Sequence, residues 1–160
     1  MKTLVVYYSK TGTTKKLAEK LAAALKADTE ILVDKKKRTG FIGWLLSGRD
    51  GIKKVPTMLN TVSKKAADYD VVLIGGPLWG FKSIAPAART YLMNNRDSIK
   101  KAGFFMTFAG TSCNDAFSDL KSVYGKNILG TLEIRQRDID NTTTEQKVKE
   151  FTDLVKTAGL

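Results

Sequence analysis

The amino-acid sequence predicts an α/β domain in which helices cover both faces of a five-stranded parallel sheet. Five short apolar runs alternate with helical patterns along the chain. These runs are continuously apolar rather than alternately polar and apolar, which is typical of strands buried on both faces. A length of 160 residues favours a single domain with a sizeable core, so we expect a doubly wound fold over residues 1–160.

The first third of the chain predicts a strand, a helix and a second strand. The run 3–8 (TLVVYY) is short, β-branched and aromatic, which favours a buried strand. From 13 to 26, Leu17 and Leu21 share one face and lysines occupy the other, as in an amphipathic helix. The run 29–33 is then the second strand.

The middle of the chain repeats this alternation. The apolar run 71–74 predicts a third strand, ended by two glycines and a proline. A helical pattern follows at 83–95, and Pro86 is tolerated because it falls in the first turn. The run 103–109 (GFFMTFA) predicts the fourth strand.

The last third predicts a helix, a fifth strand and a closing helix. The helix at 114–125 has Asn114 as a candidate N-cap and Gly125 as a candidate C-cap. The strand covers 127–136, and the final helix covers 142–159 with a regular apolar face.

One long connection, residues 34–65, interrupts the alternation of predicted strands and helices. Connections of this length in a compact domain are usually functional or disordered. Its part 39–54 places large apolar residues such as Phe41 and Trp44 among lysines and arginines. We expect this part to be ordered as a lid or a dimer contact, because its apolar residues need burial. Contact with an anionic membrane or an acidic partner is the alternative.

The formal charge of the chain is +11, and the excess is concentrated in residues 1–60, where 13 Lys/Arg face 5 Asp/Glu. A basic half suggests an anionic partner, although a lysine-rich solvated surface explains it equally well. The strands do not interleave aromatic and basic residues, so specific nucleic-acid binding is disfavoured.

Composition removes several classes of site. Histidine is absent and Cys113 is the only cysteine, which excludes intramolecular disulfides, Ser-His and Cys-His nucleophile pairs and most zinc sites. We therefore assign no catalytic residue and no metal site. No apolar run approaches the ~20 residues that span a bilayer, and no secretory signal is visible. We expect a cytoplasmic protein without a transmembrane segment.

The turn after the first strand, SKTGTT, is the first candidate binding site. It combines a glycine with four hydroxyl side chains: Gly12 with Ser9, Thr11, Thr13 and Thr14. A turn at the start of a helix offers unpaired N–H groups and the positive end of the helix dipole, which favour an anion such as phosphate. A capped helix alone needs one hydroxyl rather than four. The patterns GxxxxGK[ST] and GxGxxG are both absent.

Two further loops follow the third and fourth strands. The loop 75–84 (GGPLWGFKSI) contains Trp79, which is either a core side chain or a platform for a flat ring. The loop 109–114 (AGTSCN) is small and hydroxyl-bearing, and no basic residue adjoins Cys113, which we expect to be inert. The three loops meet at one edge of a parallel sheet, so they outline a pocket for a phosphate and a planar aromatic ring.

These motifs resemble those of the flavodoxins. SKTGTT is similar to the flavodoxin phosphate loop, Ser/Thr-x-Thr-Gly-x-Thr, and GGPLWGFKSI is similar to the flavodoxin loop in which a ring-stacking tryptophan precedes glycine. The resemblance covers residues 2–158 and implies strand order 2-1-3-4-5, an FMN cofactor and a role in electron transfer, as a carrier or a small flavin-dependent reductase. A non-redox nucleotide-binding module is the alternative.

The resemblance also implies three groups of FMN contacts. The phosphate would be held by Ser9, Lys10, Thr11, Gly12, Thr13 and Thr14. The isoalloxazine would meet Pro77, Leu78, Trp79, Gly80 and Phe81. The far side of the ring would be lined by Ala109, Gly110, Thr111, Ser112 and Cys113.

The chain departs from the usual flavodoxin pattern in its charge. Flavodoxins are typically acidic and carry acidic residues after the Trp-Gly pair, whereas this basic chain has Phe81 and Lys82 there. A positive field should favour an anionic reduced flavin and so a less reducing cofactor. We therefore expect the electron partner to be an acidic redox protein or a small acceptor such as a quinone. The sequence leaves a monomer and a homodimer both open.

Overall fold

A parallel sheet runs through the centre of the computed structural model, which describes residues 1–34, 57–80, 83–110 and 112–158. Its strands are β1 (Thr3–Tyr7), β2 (Asp28–Ile31), β3 (Val71–Trp79), β4 (Ser83–Ile84), β5 (Lys101–Phe108) and β6 (Ile128–Arg135). The spatial order β2-β1-β3-β5-β6 is parallel throughout, which confirms the predicted order 2-1-3-4-5.

The sheet departs from the prediction at its third strand. The strand β3 continues through the glycines and proline to Trp79, and the short strand β4 pairs with its end in antiparallel fashion. The pairing of β1 with β3 ends at Gly75. Pro77 therefore has no partner in β1, and its missing N–H removes no hydrogen bond between these two strands. The carbonyl of Pro77 instead accepts the N–H of Ala85 at 2.9 Å, which helps to hold the β3–β4 hairpin.

In the part of the chain that the structure describes, four helices pack on the sheet, close to their predicted positions. They are α1 (Thr13–Leu25), α2 (Pro86–Asn95), α3 (Asn114–Tyr124) and α4 (Thr142–Ala158). Pro86 lies in the first turn of α2, as predicted. Gly125 ends α3 with φ of +70°, a left-handed conformation that favours glycine.

The inner strands β1, β3 and β5 send alternate side chains to two cores, one on each face of the sheet. Leu4 and Val6 of β1 pack on the side of α2 and α3, whereas Val5 and Tyr7 pack on the side of α1 and α4. The adjacent Phe104 and Phe105 of β5 divide in the same way, and both are fully buried. This two-sided burial explains the continuous apolar runs in the sequence and confirms the doubly wound architecture.

The end of the long connection is tied to the domain. Asp34 forms an isolated antiparallel bridge with Leu59, and the Thr57 hydroxyl donates to Asp34 Oδ1 at 2.5 Å. Further along, the Ser63 hydroxyl donates to the Glu30 carboxylate at 2.7 Å. The predicted lid or dimer contact 39–54 falls outside the described residues and stays a prediction. Within the described ranges, no helix is both long and apolar enough to cross a bilayer.

Candidate functional site

The three loops singled out in the sequence meet at one edge of the sheet. They follow β1, β3 and β5, which are neighbours in the sheet, and the strands are parallel, so their carboxyl ends lie side by side. In parallel α/β sheets this edge is where ligands bind.

The turn between β1 and α1 is organised by Ser9. The hydroxyl oxygen of Ser9 accepts the N–H groups of Gly12 and Lys15, both at 3.2 Å. Gly12 adopts φ of +95°, and an added Cβ would meet no atom within 4 Å. The glycine is therefore required by its backbone conformation, and the space above it stays open to a ligand.

Four backbone N–H groups of this turn remain available. Of the N–H groups from Lys10 to Thr14, only that of Gly12 donates to another group of the described residues. The first turn of α1 contains no acidic side chain that would compensate the positive end of the helix. Together these donors and the helix dipole form a site for an anion the size of a phosphate.

The hydroxyls of the turn divide into two groups. Thr11 and Thr13 lie at or near the surface, with their hydroxyl oxygens 3.5 Å apart. Thr14 is buried, and its Oγ1 lies 2.7 Å from Oγ1 of Thr107 on β5. Thr14 thus joins the turn to the sheet, a role that its position in the motif did not reveal. Thr107 was missed by sequence reasoning, although a threonine in the apolar run GFFMTFA was a signal.

Trp79 connects the first two loops. Its ring lies edge-on to the ring of Tyr8, with 5.6 Å between centroids and planes at 90°. The ammonium of Lys10 lies 6.0 Å from the centroid of the Trp79 ring, within cation–π range. Trp79 is only 9% exposed, so it is a largely buried side chain whose surroundings include the turn after β1.

The residues around Trp79 are placed by the β3–β4 hairpin. Pro77 pairs with Thr107 of β5 and is buried, while Leu78 is half-buried opposite Ile84. Gly80 has φ of +58°, which lets the chain turn directly after the tryptophan. The next residues of the loop, 81–82, fall outside the described residues, so the predicted contact of Phe81 stays a prediction.

The third loop is exposed at its start and anchored at its end. Ala109, Gly110 and Ser112 are exposed, and Thr111 falls outside the described residues. The side chain of Cys113 is buried in the core on the α2 and α3 side.

This loop ends at the N-terminus of α3. The sequence predicted Asn114 as the N-cap of this helix, but Asn114 is its first residue and Cys113 is the N-cap. The Cys113 N–H donates to Glu133 Oε2 at 2.8 Å. Burial, followed by the nearby Glu133 carboxylate, raises the pKa of the Cys113 thiol to about 12. The prediction of an inert cysteine agrees with this environment.

Among the described residues, two cations lie at the rim of this edge, each against an aromatic ring. Lys10 lies over Trp79, and the guanidinium of Arg135, the last residue of β6, lies 5.6 Å from the ring centroid of Phe108 at the end of β5. In the part of the chain that the structure describes, no group of three or more acidic or cysteine side chains could hold a metal ion. The arrangement suits an anion and a flat ring.

Comparisons with known proteins point to one family. A family model described as flavodoxin matches residues 2–154. A solved flavoprotein of Lactobacillus acidophilus in complex with FMN is 24% identical, with a TM-score of 0.69, and the match covers 89% of this chain and 98% of that one. A comparison with curated proteins finds no significant match.

Two other solved structures share the fold. A proposed flavoprotein of Bacteroides eggerthii is 25% identical with a TM-score of 0.75, over 97% of this chain and 98% of that one. The two-electron reduced flavodoxin of Megasphaera elsdenii is 18% identical with a TM-score of 0.61, over 94% of this chain and 97% of that one.

Proposed function

The chain belongs to the flavodoxin family, and we propose that it binds one FMN at the three-loop edge of the sheet and serves as an electron carrier. The observation that carries this proposal is the contact between two loops that were predicted separately. Lys10 of the phosphate-type turn and Tyr8 before it both lie against Trp79 of the second loop. An anion site and an aromatic platform are therefore adjacent, as a flavin mononucleotide requires.

The turn after β1 fits the phosphate end of FMN. The free N–H groups of Lys10, Thr11, Thr13 and Thr14 can donate to phosphate oxygens, and the open space above Gly12 allows a close approach. The hydroxyls of Thr11 and Thr13 add two donors at the surface. No second nucleotide fingerprint occurs in the sequence, so we propose FMN rather than FAD.

The second and third loops fit the flavin ring less completely. Trp79 can contribute one edge or face of its ring, and Tyr8 holds that ring from the side. In the third loop, Ala109, Gly110 and Ser112 are exposed and available to the ring, whereas the buried Cys113 contributes no exposed side chain. When bound, FMN supplies the one- or two-electron chemistry, and these residues bind and orient it.

A carrier is the simpler role for this site. The sequence contains no histidine, and the lone Cys113 is buried with a raised pKa, so neither a histidine nor an exposed thiol serves this site as acid, base or nucleophile. The cations Lys10 and Arg135 at the rim support an electron partner with negative charge, such as an acidic redox protein, or a small acceptor such as a quinone.

Titration of the apoprotein with FMN, riboflavin and FAD tests the proposal. We expect one FMN per chain, quenched flavin fluorescence, and weaker binding of riboflavin because it lacks the phosphate. Turnover with NADH or NADPH and a quinone would instead identify a reductase. A colourless protein that ignores FMN but binds another nucleotide would refute the flavin assignment and leave a non-redox nucleotide module.

A further inference from the structure

Glu133 makes a contact with the third loop that neither the flavodoxin-type motifs nor the proposed function assigns. It lies on β6, next to Met106 of β5 in the sheet register. Its Oε2 accepts the backbone N–H of Cys113 at 2.8 Å, at the point where the exposed loop enters α3. The contact joins β6, the terminal strand of the sheet, to the loop after β5.

The Glu133 carboxylate also affects the Cys113 thiol, because burial and then this nearby negative charge raise the pKa of the thiol. The side chain of Cys113 is 0% exposed, so water cannot replace this partner. A carboxylate is also favourable at this position because the N-terminus of α3 carries partial positive charge.

The neighbours of Glu133 in β6 show why it points to the loop. Leu132 and Ile134 belong to the core on the α1 and α4 side, so the alternation of a strand turns Glu133 to the other face. Cys113 belongs to the core on that other face. This acidic residue within a mostly apolar strand is partly exposed and has a defined partner in the Cys113 N–H.

We propose that Glu133 is a positioning residue for the flavin ring: by accepting the Cys113 N–H, it fixes the point at which the loop after β5 enters α3. The part of this inference that concerns the ring rests on the proposed function. Because Cys113 is 0% exposed, the reactivity of its thiol reports whether this end of the loop stays closed.

Three variants of Glu133 and one control separate this role from a general loss of stability. Glu133→Ala removes the acceptor, Glu133→Asp keeps the charge but shortens the reach, and Glu133→Gln keeps an acceptor oxygen at the same reach. The control is Glu150→Gln, an exposed carboxylate on α4 whose contact is the Gln146 amide. Thermal unfolding followed by circular dichroism identifies any variant that does not fold.

Two measurements are made on each folded variant. The first is the dissociation constant for FMN and for riboflavin, from fluorescence quenching. The second is the rate at which a disulfide reagent modifies the single thiol, Cys113, in the apoprotein. We expect Glu133→Ala and Glu133→Asp to weaken both ligands about tenfold, the loss typical of one hydrogen bond to a charged group. Both ligands lose equally because the loop is proposed to line the ring and not the phosphate.

The thiol should react several times faster in Glu133→Ala than in the wild type, and Glu133→Gln should recover most of the ligand affinity. The control should match the wild type in both measurements. Wild-type affinity and wild-type thiol reactivity in Glu133→Ala would overturn the inference. If the wild type itself does not bind FMN, the proposed function fails, and the thiol rate alone then decides whether Glu133 holds the loop.

Discussion

The hydroxyl oxygens of Thr14 and Thr107 lie 2.7 Å apart, in the interior of the protein beneath the candidate site. The two residues are separated by 93 positions in the chain. Thr14 is the second residue of α1, and Thr107 lies near the end of β5. The hydrogen bond therefore joins the turn after β1 to the strand that leads into the third loop. Two parts of the site thus share one buried polar contact.

Removing one hydroxyl of this pair should destabilise the protein more than removing both. Thr14→Val or Thr107→Val leaves a buried hydroxyl without its partner, and we expect a loss of about 1–3 kcal/mol in the free energy of unfolding. The double variant removes both polar groups and should recover part of that loss. Urea denaturation of the four proteins measures the coupling. Additive losses would show that the two hydroxyls do not depend on each other.

Thr11 should contribute to phosphate binding. Its hydroxyl is exposed beside that of Thr13, above a turn with free N–H groups. We expect Thr11→Val to weaken FMN several-fold while leaving riboflavin almost unchanged, as measured by fluorescence titration. Thr157→Val, an exposed threonine near the end of α4, is the matched control. Equal losses for FMN and riboflavin would place the phosphate elsewhere.

Lys10 should raise the reduction potential of bound FMN. Its ammonium lies over Trp79, the proposed ring platform, and a positive charge there favours a negatively charged reduced flavin. A tenfold change in a one-electron equilibrium is about 59 mV, and we expect Lys10→Gln to lower the potential by about half of that. Added salt should reduce the difference. Lys156→Gln, on the last turn of α4, controls for net charge alone.

Potentiometric titration would contradict this view if Lys10→Gln and Lys156→Gln gave the same potential as the wild type at low salt. The same experiment with Lys82→Glu tests the residue that the sequence placed after the Trp-Gly pair. Lys82 falls outside the described residues, and its effect on the potential stays a prediction.

The stability of the protein should decrease at alkaline pH partly because of Cys113. Burial is the main cause that raises the pKa of its thiol from the ordinary value of 9.0 to about 12. An unfolded chain would lose the proton near the lower value, so the stabilisation is complete below about pH 9 and is lost as the pH rises toward 12. Cys113→Ala should therefore flatten the dependence of the unfolding free energy between pH 9 and 11.

Urea denaturation at several pH values measures that slope. Tyr69 and Tyr91 also have pKa values raised to about 12. Because of these two residues, the unfolding free energy of Cys113→Ala should still depend on pH, but less steeply than that of the wild type. A wild-type slope in Cys113→Ala would show that the thiol ionises in the folded protein as easily as in the unfolded one.

The sequence alone determined the order of the strands and helices and the three loops of the site. A strand such as 3–8 is visible as a continuous apolar run, and a helix end is visible at a residue such as Gly125. Both depend on interactions between residues close in the chain, so a local sequence pattern predicts them. Because the strands are parallel, the ends of the first, third and fourth predicted strands had to share one edge once the order was known.

The tertiary structure alone decided which side chains serve the site and which support it. The hydroxyl of Thr14 proved to be the partner of the Thr107 hydroxyl, and Glu133 proved to be the acceptor for the Cys113 N–H. The extension of β3 to Trp79 likewise needed the pairing with β4. These contacts join residues far apart in the chain or depend on strand register, so they are set by packing across the sheet, which no local pattern contains.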